Sequence, residues 1–272
     1  MKRFVESKLR YMPLSQHDAN LLYKKHPEVP KMFDGKNCPS CHGDGYVVFG
    51  GERYECDCVE QLQKYKHYIS AGIPIKYQKL SWADWDNKEF PVDDGIVKKY
   101  RDNLNNYVNN GIGLFLRGSN GSGKSFIATM ILKELVNDGY SCYMTTAADM
   151  ADIVKNKWKT DFDEDFYKTK IEQTDVLYID DVGRELIDLD TNWADKFNKT
   201  SLDNIVRQRV QNGKTTFITT NLTDKRFVSY YGNGIKSLLL ESMICFEAFG
   251  EDHREVIQEK LLSNGVSNSH IF

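Results

Sequence analysis

The sequence predicts an α/β fold, in which a parallel central sheet carries helices on both faces and follows a small cysteine-rich module. Apolar segments of strand length alternate with helical segments from residue 93 to residue 249, a pattern typical of parallel sheets. A glycine-rich run, residues 118–125, joins one of these strands to a helix. Four of the six cysteines lie within residues 38–58, which indicates a separate small module.

The composition is that of a soluble globular protein. Of 272 residues, 40% are hydrophobic and 28% are charged, and no run of about 18 apolar residues occurs. We therefore expect no membrane partner, and we expect a cytoplasmic protein with reduced thiols because no apolar segment follows the charged N-terminus. The net charge of −3 excludes a globally basic nucleic-acid binder but leaves room for a local basic site.

The cysteine-rich module has the spacing of a metal site. Cys38 and Cys41 form C-x2-C, and Cys56 and Cys58 form C-x-C after fourteen intervening residues. Four thiolates at this spacing can surround Zn²⁺ tetrahedrally, and a segment of about 25 residues buries too little apolar surface to fold alone. Redox disulfides and an iron–sulfur cluster are the alternatives. We predict structural zinc within residues 38–58.

The remaining elements follow in chain order. A helix over residues 59–72 is predicted to link the N-terminal module, residues 1–75, to a second domain, residues 76–272. Gly72 and Pro74 supply the stop signal for this helix. In the second domain the periodicity predicts strands at 112–117, 140–145, 175–180, 215–220 and 244–249, and helices at 93–110, 125–137, 147–159, 163–173, 193–211 and 235–243.

The glycine-rich run has the composition of a phosphate-binding loop. It matches the motif G-x-x-x-x-G-K-S/T and lies between an apolar strand and a helix. Its glycines allow successive backbone N–H groups to face an anion, Lys124 would reach the β and γ phosphates, and the Ser125 hydroxyl would bind Mg²⁺. A chance glycine turn before a helix is the alternative. The predicted ATP- or ADP-binding residues are Gly118, Ser119, Asn120, Gly121, Ser122, Gly123, Lys124 and Ser125.

Polar residues end two further strands. Asp180 and Asp181 follow an apolar strand; the first would hold Mg²⁺ together with Ser125, and the second would orient or deprotonate the attacking water. Asn221 ends the next strand and could hydrogen-bond that water or the γ phosphate. A helix cap or turn is the alternative for each. Together with Lys124, these residues form the predicted catalytic set, and their order is typical of AAA+ ATPases with a P-loop.

A short basic and aromatic segment is a candidate for contact with single-stranded DNA. Lys155, Lys157, Trp158 and Lys159 interleave positive charge with an aromatic ring, which together hold phosphates and stack a base. The alternative is a solvated helix face with Trp158 packed beneath it. Several acidic residues within 161–165 dilute the positive charge.

The arrangement resembles the replicative-helicase loaders of the DnaC/DnaI type and the related IstB-like transposition ATPases. The resemblance covers residues 38–249 and leaves the first 35 residues unmatched. Its most specific parts are the cysteine motifs, the linker Ala71–Tyr77, the acidic strand end Asp180–Gly183 and the polar strand end Thr219–Leu222.

The resemblance implies a lidless AAA+ ATPase that binds a hexameric replicative DNA helicase and helps deposit it on single-stranded DNA. It also implies self-association or assembly on the helicase ring. Family members tend to carry an arginine finger where this chain has Ser242. Either the alignment slips here, or another arginine such as Arg226 or Arg254 serves, or activation in trans is weak and hydrolysis is slow. The alternatives are a transposition-type ATPase that presents target DNA and a nucleotide-switched inhibitor of the replication machinery.

Overall fold

An antiparallel hairpin opens the described part of the chain. The computed structural model describes residues 41–42, 44–78, 80–85, 94–184 and 192–248. Strands β1 (Tyr46–Phe49) and β2 (Glu52–Glu55) pair around a turn at Gly50 and Gly51, whose positive φ angles suit glycine. Helix α1 (Asp57–Ser70) follows directly, so the predicted linker helix is present.

The remaining elements alternate as the sequence predicts. The strands are β3 (Gly113–Gly118), β4 (Cys142–Thr146), β5 (Val176–Val182), β6 (Thr215–Thr220) and β7 (Met243–Ala248). The helices are α2 (Ile75–Gln78), α3 (Asp94–Asp102), α4 (Leu104–Asn109), α5 (Lys124–Asn137), α6 (Ala147–Asn156), α7 (Asp161–Tyr167), α8 (Asn192–Gln211), α9 (Asp224–Tyr231) and α10 (Asn233–Ser242). A 3₁₀ turn, Trp82–Asp84, and a π-helical turn, Lys168–Glu172, complete the described elements.

Strands β3 to β7 form one parallel sheet in the order β4-β5-β6-β3-β7. In the register, Leu114 of β3 lies beside Phe217 of β6 on one side and Ile244 of β7 on the other. All six residues of β6 are buried, as expected for a central strand covered on both faces. The parallel α/β sheet predicted from the sequence is therefore confirmed.

Alternate residues of the strands face two separate cores. Leu114, Tyr178 and Phe217 pack on one face with the helices α1, α3, α4 and α5. Phe115 and Ile218 pack on the other face with α6, α8, α9 and α10. Helical layers therefore cover both faces of the sheet, and this packing fixes the positions of the strand ends.

Several elements differ from the sequence-based expectation, three of them in the second domain. The helix predicted over 93–110 breaks at Asn103, whose side chain donates to the Lys99 carbonyl (2.9 Å) and so competes with the helix. The helix predicted over 163–173 ends as α7 and passes into the π-helical turn. Helix α9 was not predicted, although Thr223 caps it by accepting a hydrogen bond from the Arg226 amide.

A buried arginine joins the strands at the edge of the sheet opposite the glycine-rich loop. Arg209 of α8 is 1% exposed, and burial lowers its pKa to about 10. Its guanidinium donates to the Thr216 hydroxyl (3.0 Å) and to backbone carbonyls that precede β5 or begin β6. Those carbonyls belong to Ile171, Glu172, Thr174, Asp175 and Thr215.

The segment after α1 is fixed to the sheet and to α5. The Met144 amide of β4 donates to the Ala71 carbonyl (2.8 Å), and a Cβ on Gly72 would lie 2.5 Å from the Met144 carbonyl oxygen. Lys133 of α5 is 9% exposed and donates to the carbonyls of Tyr77, Gln78 and Leu80. Residues 71–80 therefore pack on the same unit as the sheet.

In the ranges that the structure describes, no helix combines the length and the apolar character needed to cross a membrane.

Candidate nucleotide and magnesium site

The glycine-rich loop leaves β3 beside the end of β7. The Ser119 amide donates to the Ala248 carbonyl (3.1 Å), and a Cβ on Gly118 would lie 1.7 Å from the same oxygen. Gly121 and Gly123 have φ angles of 71° and 83°, a conformation that favours glycine. The close approach and the two turns explain why glycine is needed at these three positions.

Lys124 begins α5 and lies inside the loop. It is 5% exposed, and its Nζ donates to the carbonyls of Gly118 (3.2 Å) and Ser119 (2.6 Å) and to the Ser122 hydroxyl (3.2 Å). Gly123 precedes α5 and has no side chain to cap its first turn, and the N-terminus of a helix favours an anion. A buried ammonium beside an uncapped helix N-terminus fits the phosphates of a nucleotide.

One carboxylate oxygen of Asp180 accepts hydrogen bonds from three hydroxyl groups. Its Oδ1 accepts hydrogen bonds from Ser125 (2.8 Å), Tyr178 (2.6 Å) and Thr219 (2.5 Å). The Ser125 bond joins the start of α5 to the end of β5, which brings the two predicted magnesium ligands together. A hydroxyl and a carboxylate are oxygen donors of the kind that Mg²⁺ prefers, so these residues fit that ion.

Asp181 takes an unusual backbone conformation at the bulge that ends β5. Its φ is 55°, and the register with β6 shifts between Ile179 and Val182. The Asp181 amide donates to the Thr219 hydroxyl (3.0 Å), and Asn221 donates to its Oδ1 (3.3 Å). Arg184 lies 3.5 Å from its other oxygen. The bulge turns Asp181 away from the regular strand, toward Asn221.

The structure therefore brings the predicted set Lys124, Ser125, Asp180, Asp181 and Asn221 to the carboxyl-terminal edge of the sheet. Sequence reasoning missed two further side chains of this cluster, from β5 and β6, that reach Asp180. Both stand two residues before a predicted polar residue on its own strand, so the period of two would have placed them on the same face. These residues are Tyr178 and Thr219.

The candidates for an arginine finger lie in different surroundings. Ser242, at the end of α10, donates its hydroxyl to the Leu238 carbonyl (2.7 Å) and so completes its own helix. Arg226 lies exposed in the first turn of α9. Arg254 falls outside the described residues, as does the segment after residue 248 on which the expected absence of a helical lid depends.

The candidate DNA segment lies at the end of α6. Trp158 is 71% exposed, so the alternative in which it packs beneath the helix is wrong. Lys157 places its ammonium 5.0 Å from the Trp158 ring centroid and 4.3 Å from that of Tyr167. Phe162, at the start of α7, is a second exposed aromatic side chain (68%). Lys155 and Lys159 are also exposed, so positive charge and aromatic surface are combined here.

The predicted zinc site lies only partly within the described residues. Cys41 and Cys56 are both buried, whereas Cys38 and the Cys58 side chain fall outside the description. The Cys56 amide donates to the Gly45 carbonyl (2.9 Å), so Cys56 lies at the open end of the β1–β2 hairpin. The described residues alone contain no cluster of three or more metal-ligating side chains. Zinc binding stays a prediction.

Comparison with known proteins identifies the same type of domain. The family described as IstB-like ATP binding protein matches residues 64–244. An IS21-like putative ATP-binding protein from Bacteroides fragilis is 32% identical over 44% of this chain and 46% of its own length. The replicative helicase loader DnaI of Bacillus subtilis is 26% identical over 69% of this chain and 65% of its own length.

Among solved structures, a crystal structure of the DnaC helicase loader aligns with 64% of this chain and 99% of its own, with a TM-score of 0.54 and 22% identity. At that identity the likeness shows the fold alone. This chain matches less than two thirds of the length of either sequence relative.

Proposed function

This chain belongs to the IstB-like ATP binding protein family, and from that membership we propose that it is an ATP-hydrolysing loader of a replicative DNA helicase. The loader would bind the hexameric helicase and help deposit it on single-stranded DNA. The observation that carries this proposal is the joined site at the ends of β3, β5 and β6, in which the Ser125 hydroxyl is bonded to Asp180. Similarity to DnaI, which is named a replicative helicase loader, supports the choice of partner.

The site residues have distinct roles in ATP binding. Lys124 would exchange its bonds to the loop carbonyls for bonds to the β and γ phosphates, while the α5 N-terminus binds them through its N–H groups. Ser125 and Asp180 would hold Mg²⁺, which supplies neutralisation of phosphate charge when bound. Each role needs a group that the structure already places at this edge of the sheet.

Asp181 and Asn221 would act on the attacking water. Asp181 would accept its proton or orient it, and the Asn221 amide, already 3.3 Å from Asp181, would hold it by a second hydrogen bond. Arg184 lies 3.5 Å from the other carboxylate oxygen of Asp181 in the isolated chain, so a positive charge stands beside the group that would act on the water.

Hydrolysis by the isolated chain should be slow. Ser242 stands where loaders of this type tend to have an arginine, and its hydroxyl is used within its own helix. An arginine supplied in trans raises the rate of phosphoryl transfer by orders of magnitude. We therefore propose that turnover rises only on assembly with the helicase or with another copy of the chain, and that Arg226 is a candidate for the arginine supplied.

The DNA and partner contacts are assigned to two different parts of the chain. The exposed Trp158 and Phe162, with the lysines around them, would stack the bases and bind the phosphates of single-stranded DNA. The N-terminal module, residues 1–75, would contact the helicase, with zinc held by Cys38, Cys41, Cys56 and Cys58. The burial of Cys41 and Cys56 at the base of the hairpin supports this zinc site.

The proposal is tested by co-purification with replicative helicases of bacteria and phages. We expect a stable complex with one of them, stronger with ATP than without nucleotide, and weakened in the Lys124→Ala variant because that variant should lose nucleotide. Lys99→Ala is a matched control, since Lys99 is an exposed lysine on α3. A protein that binds ATP but no replicative helicase would contradict the loader function.

Similarity to the Bacteroides fragilis IS21-like putative ATP-binding protein favours a second candidate, a transposition-type ATPase that presents target DNA. Such a protein should prefer duplex DNA and should assemble on it as a filament in the presence of ATP. A loader should prefer single-stranded DNA. Binding measured on matched single and double strands, with and without ATP, separates the two candidates.

A further inference from the structure

Tyr178 is a buried tyrosine that the ATP-binding roles described above do not use. It has no solvent exposure, although it lies only two residues before Asp180 on β5. Its hydroxyl donates to Asp180 Oδ1 at 2.6 Å.

The bonds to Asp180 are arranged on one side of the carboxylate. Within the part of the chain that the structure describes, every hydrogen bond to this group ends on Oδ1. One donor, Ser125, is itself a predicted magnesium ligand. The other two, Tyr178 and Thr219, are fully buried on neighbouring strands. An ionised carboxylate has about four acceptor sites on its two oxygens, so three hydroxyls saturate Oδ1 and leave Oδ2 for other partners.

We infer that Tyr178, together with Thr219, is a positioning residue that holds Asp180 by its Oδ1 and reserves Oδ2 for the magnesium shell. The inference rests on the proposed nucleotide site. Hydrogen bonds to a charged acceptor are stronger than neutral ones, so two buried donors fix the rotamer of the carboxylate firmly. The Thr219 hydroxyl also accepts a hydrogen bond from the Asp181 amide (3.0 Å), which connects the second acidic residue to the same network.

Packing alone does not account for a tyrosine at this position. Phenylalanine would fill the same space in the core and would bury no hydroxyl, a group that is costly to bury without a partner. The partner is Asp180, the carboxylate that also accepts a hydrogen bond from Ser125 at the end of the glycine-rich loop. Residues that orient a metal ligand commonly change metal affinity by about 10-fold to 100-fold when removed.

The test is a magnesium titration of nucleotide binding by the full chain. A fluorescent, non-hydrolysable ATP analogue is held at fixed concentration while Mg²⁺ is added, and its affinity is also measured in EDTA. For Tyr178→Phe and Thr219→Val we expect the half-saturating Mg²⁺ concentration to rise about tenfold, with the affinity in EDTA unchanged. Tyr100→Phe is the matched control, because the Tyr100 hydroxyl is also buried and donates to the Ile112 carbonyl (3.1 Å), away from the site.

The possible results separate this role from the proposed function. Wild-type and Tyr178→Phe titrations that superimpose would overturn the role of Tyr178 and leave the nucleotide site standing. An equal shift in Tyr100→Phe would also overturn it, because the cause would then be general loosening of the core. Wild-type affinity that does not respond to Mg²⁺ would overturn both. If Tyr178→Phe does not fold, Thr219→Val decides, and an unchanged magnesium dependence in that variant overturns the inference.

Discussion

The side-chain amide of Asn221 donates a hydrogen bond to Oδ1 of Asp181 (3.3 Å), and this bond links the ends of β6 and β5. The bond is made possible by the bulge in β5, where Asp181 has a φ of 55°. In a regular strand, the side chain after Asp180 would point to the opposite face of the sheet. The irregular backbone therefore turns Asp181 toward Asn221 at the edge of the sheet where Asp180 also lies.

Asp181→Asn should separate ATP binding from hydrolysis. The amide has the same shape as the carboxylate but cannot accept a proton, so we expect kcat to fall by about 10²- to 10⁴-fold with little change in nucleotide affinity. Phosphate release and equilibrium binding measure the two quantities. Asp203→Asn serves as the control, since Asp203 pairs with Arg207 on the surface of α8. Undiminished phosphate release by Asp181→Asn would show that another group activates the water.

Arg209→Met should strongly reduce the free energy of unfolding. The substitution leaves the backbone carbonyls before β5 and at the start of β6 without their buried donor. We expect a loss of about 3 kcal/mol or more by urea denaturation. Arg207→Ala, two residues away and paired with Asp203 on the surface, should change the free energy of unfolding very little. Similar losses for the two variants would be evidence against a structural role for the buried guanidinium.

Stability should depend on pH through Lys133. Burial lowers the pKa of Lys133 to about 8 from an ordinary value of 10.5, with the Asp84 carboxylate opposing the shift. Between these pH values the unfolded chain binds more protons at this position than the folded chain, so wild-type stability should rise with pH. The penalty for burying the charge is fully present below about pH 8.

The effect is isolated by comparison with Lys133→Met. The free energy of unfolding is measured by urea denaturation from pH 7 to pH 10. Above pH 8 the free energy of unfolding of the wild type should rise relative to that of this variant, by at most about 3 kcal/mol. Both proteins share all other titrating groups, so the difference reports Lys133. A difference that stays constant over the whole range would mean that the three carbonyls around Lys133 keep its pKa near the ordinary lysine value.

Trp158→Ala should weaken binding of single-stranded DNA. An exposed indole that stacks a base contributes about 1–3 kcal/mol, so we expect an affinity loss of about tenfold or more by fluorescence anisotropy. Phe49→Ala is a matched control, because Phe49 is equally exposed (69%) but lies at the turn of the β1–β2 hairpin. Equal affinities of the wild type and Trp158→Ala for single-stranded DNA would show that Trp158 at the end of α6 does not contact DNA.

Removing metal should loosen the N-terminal hairpin. Purified protein should contain about one zinc ion per chain, and a strong chelator or Cys41→Ser should expose residues 41–56 to proteolysis, since metal binding supplies the stability of so small a module. Elemental analysis and limited proteolysis measure these effects. Cys245→Ser should retain zinc, because Cys245 lies in β7. Protein that folds with intact protection and no zinc would favour another role for the cysteines.

Much of the sheet and most of the candidate site could be predicted from the sequence. The strands are short apolar runs with clear turn residues, and Lys124, Ser125 and Asp180 belong to motifs in which each residue type has one physical task. The period of two places Tyr178 on the same face as Asp180, but it does not show that Ser125 of α5 and Thr219 of β6 share the same acceptor oxygen, because those contacts depend on how the elements pack. The exposure of Trp158 likewise depends on how the end of α6 meets α7, which local periodicity does not specify.

The bond between the Met144 amide and the Ala71 carbonyl has a practical consequence for truncated chains. Since β4 is the outermost strand on its side of the sheet, Ala71 covers a donor that would otherwise be free to recruit a foreign strand. A fragment that begins at residue 76 would lack Ala71 and leave this backbone edge of β4 unpaired. Such a fragment should aggregate at high concentration. A fragment that begins before Asp57 would keep Ala71 over the edge of β4.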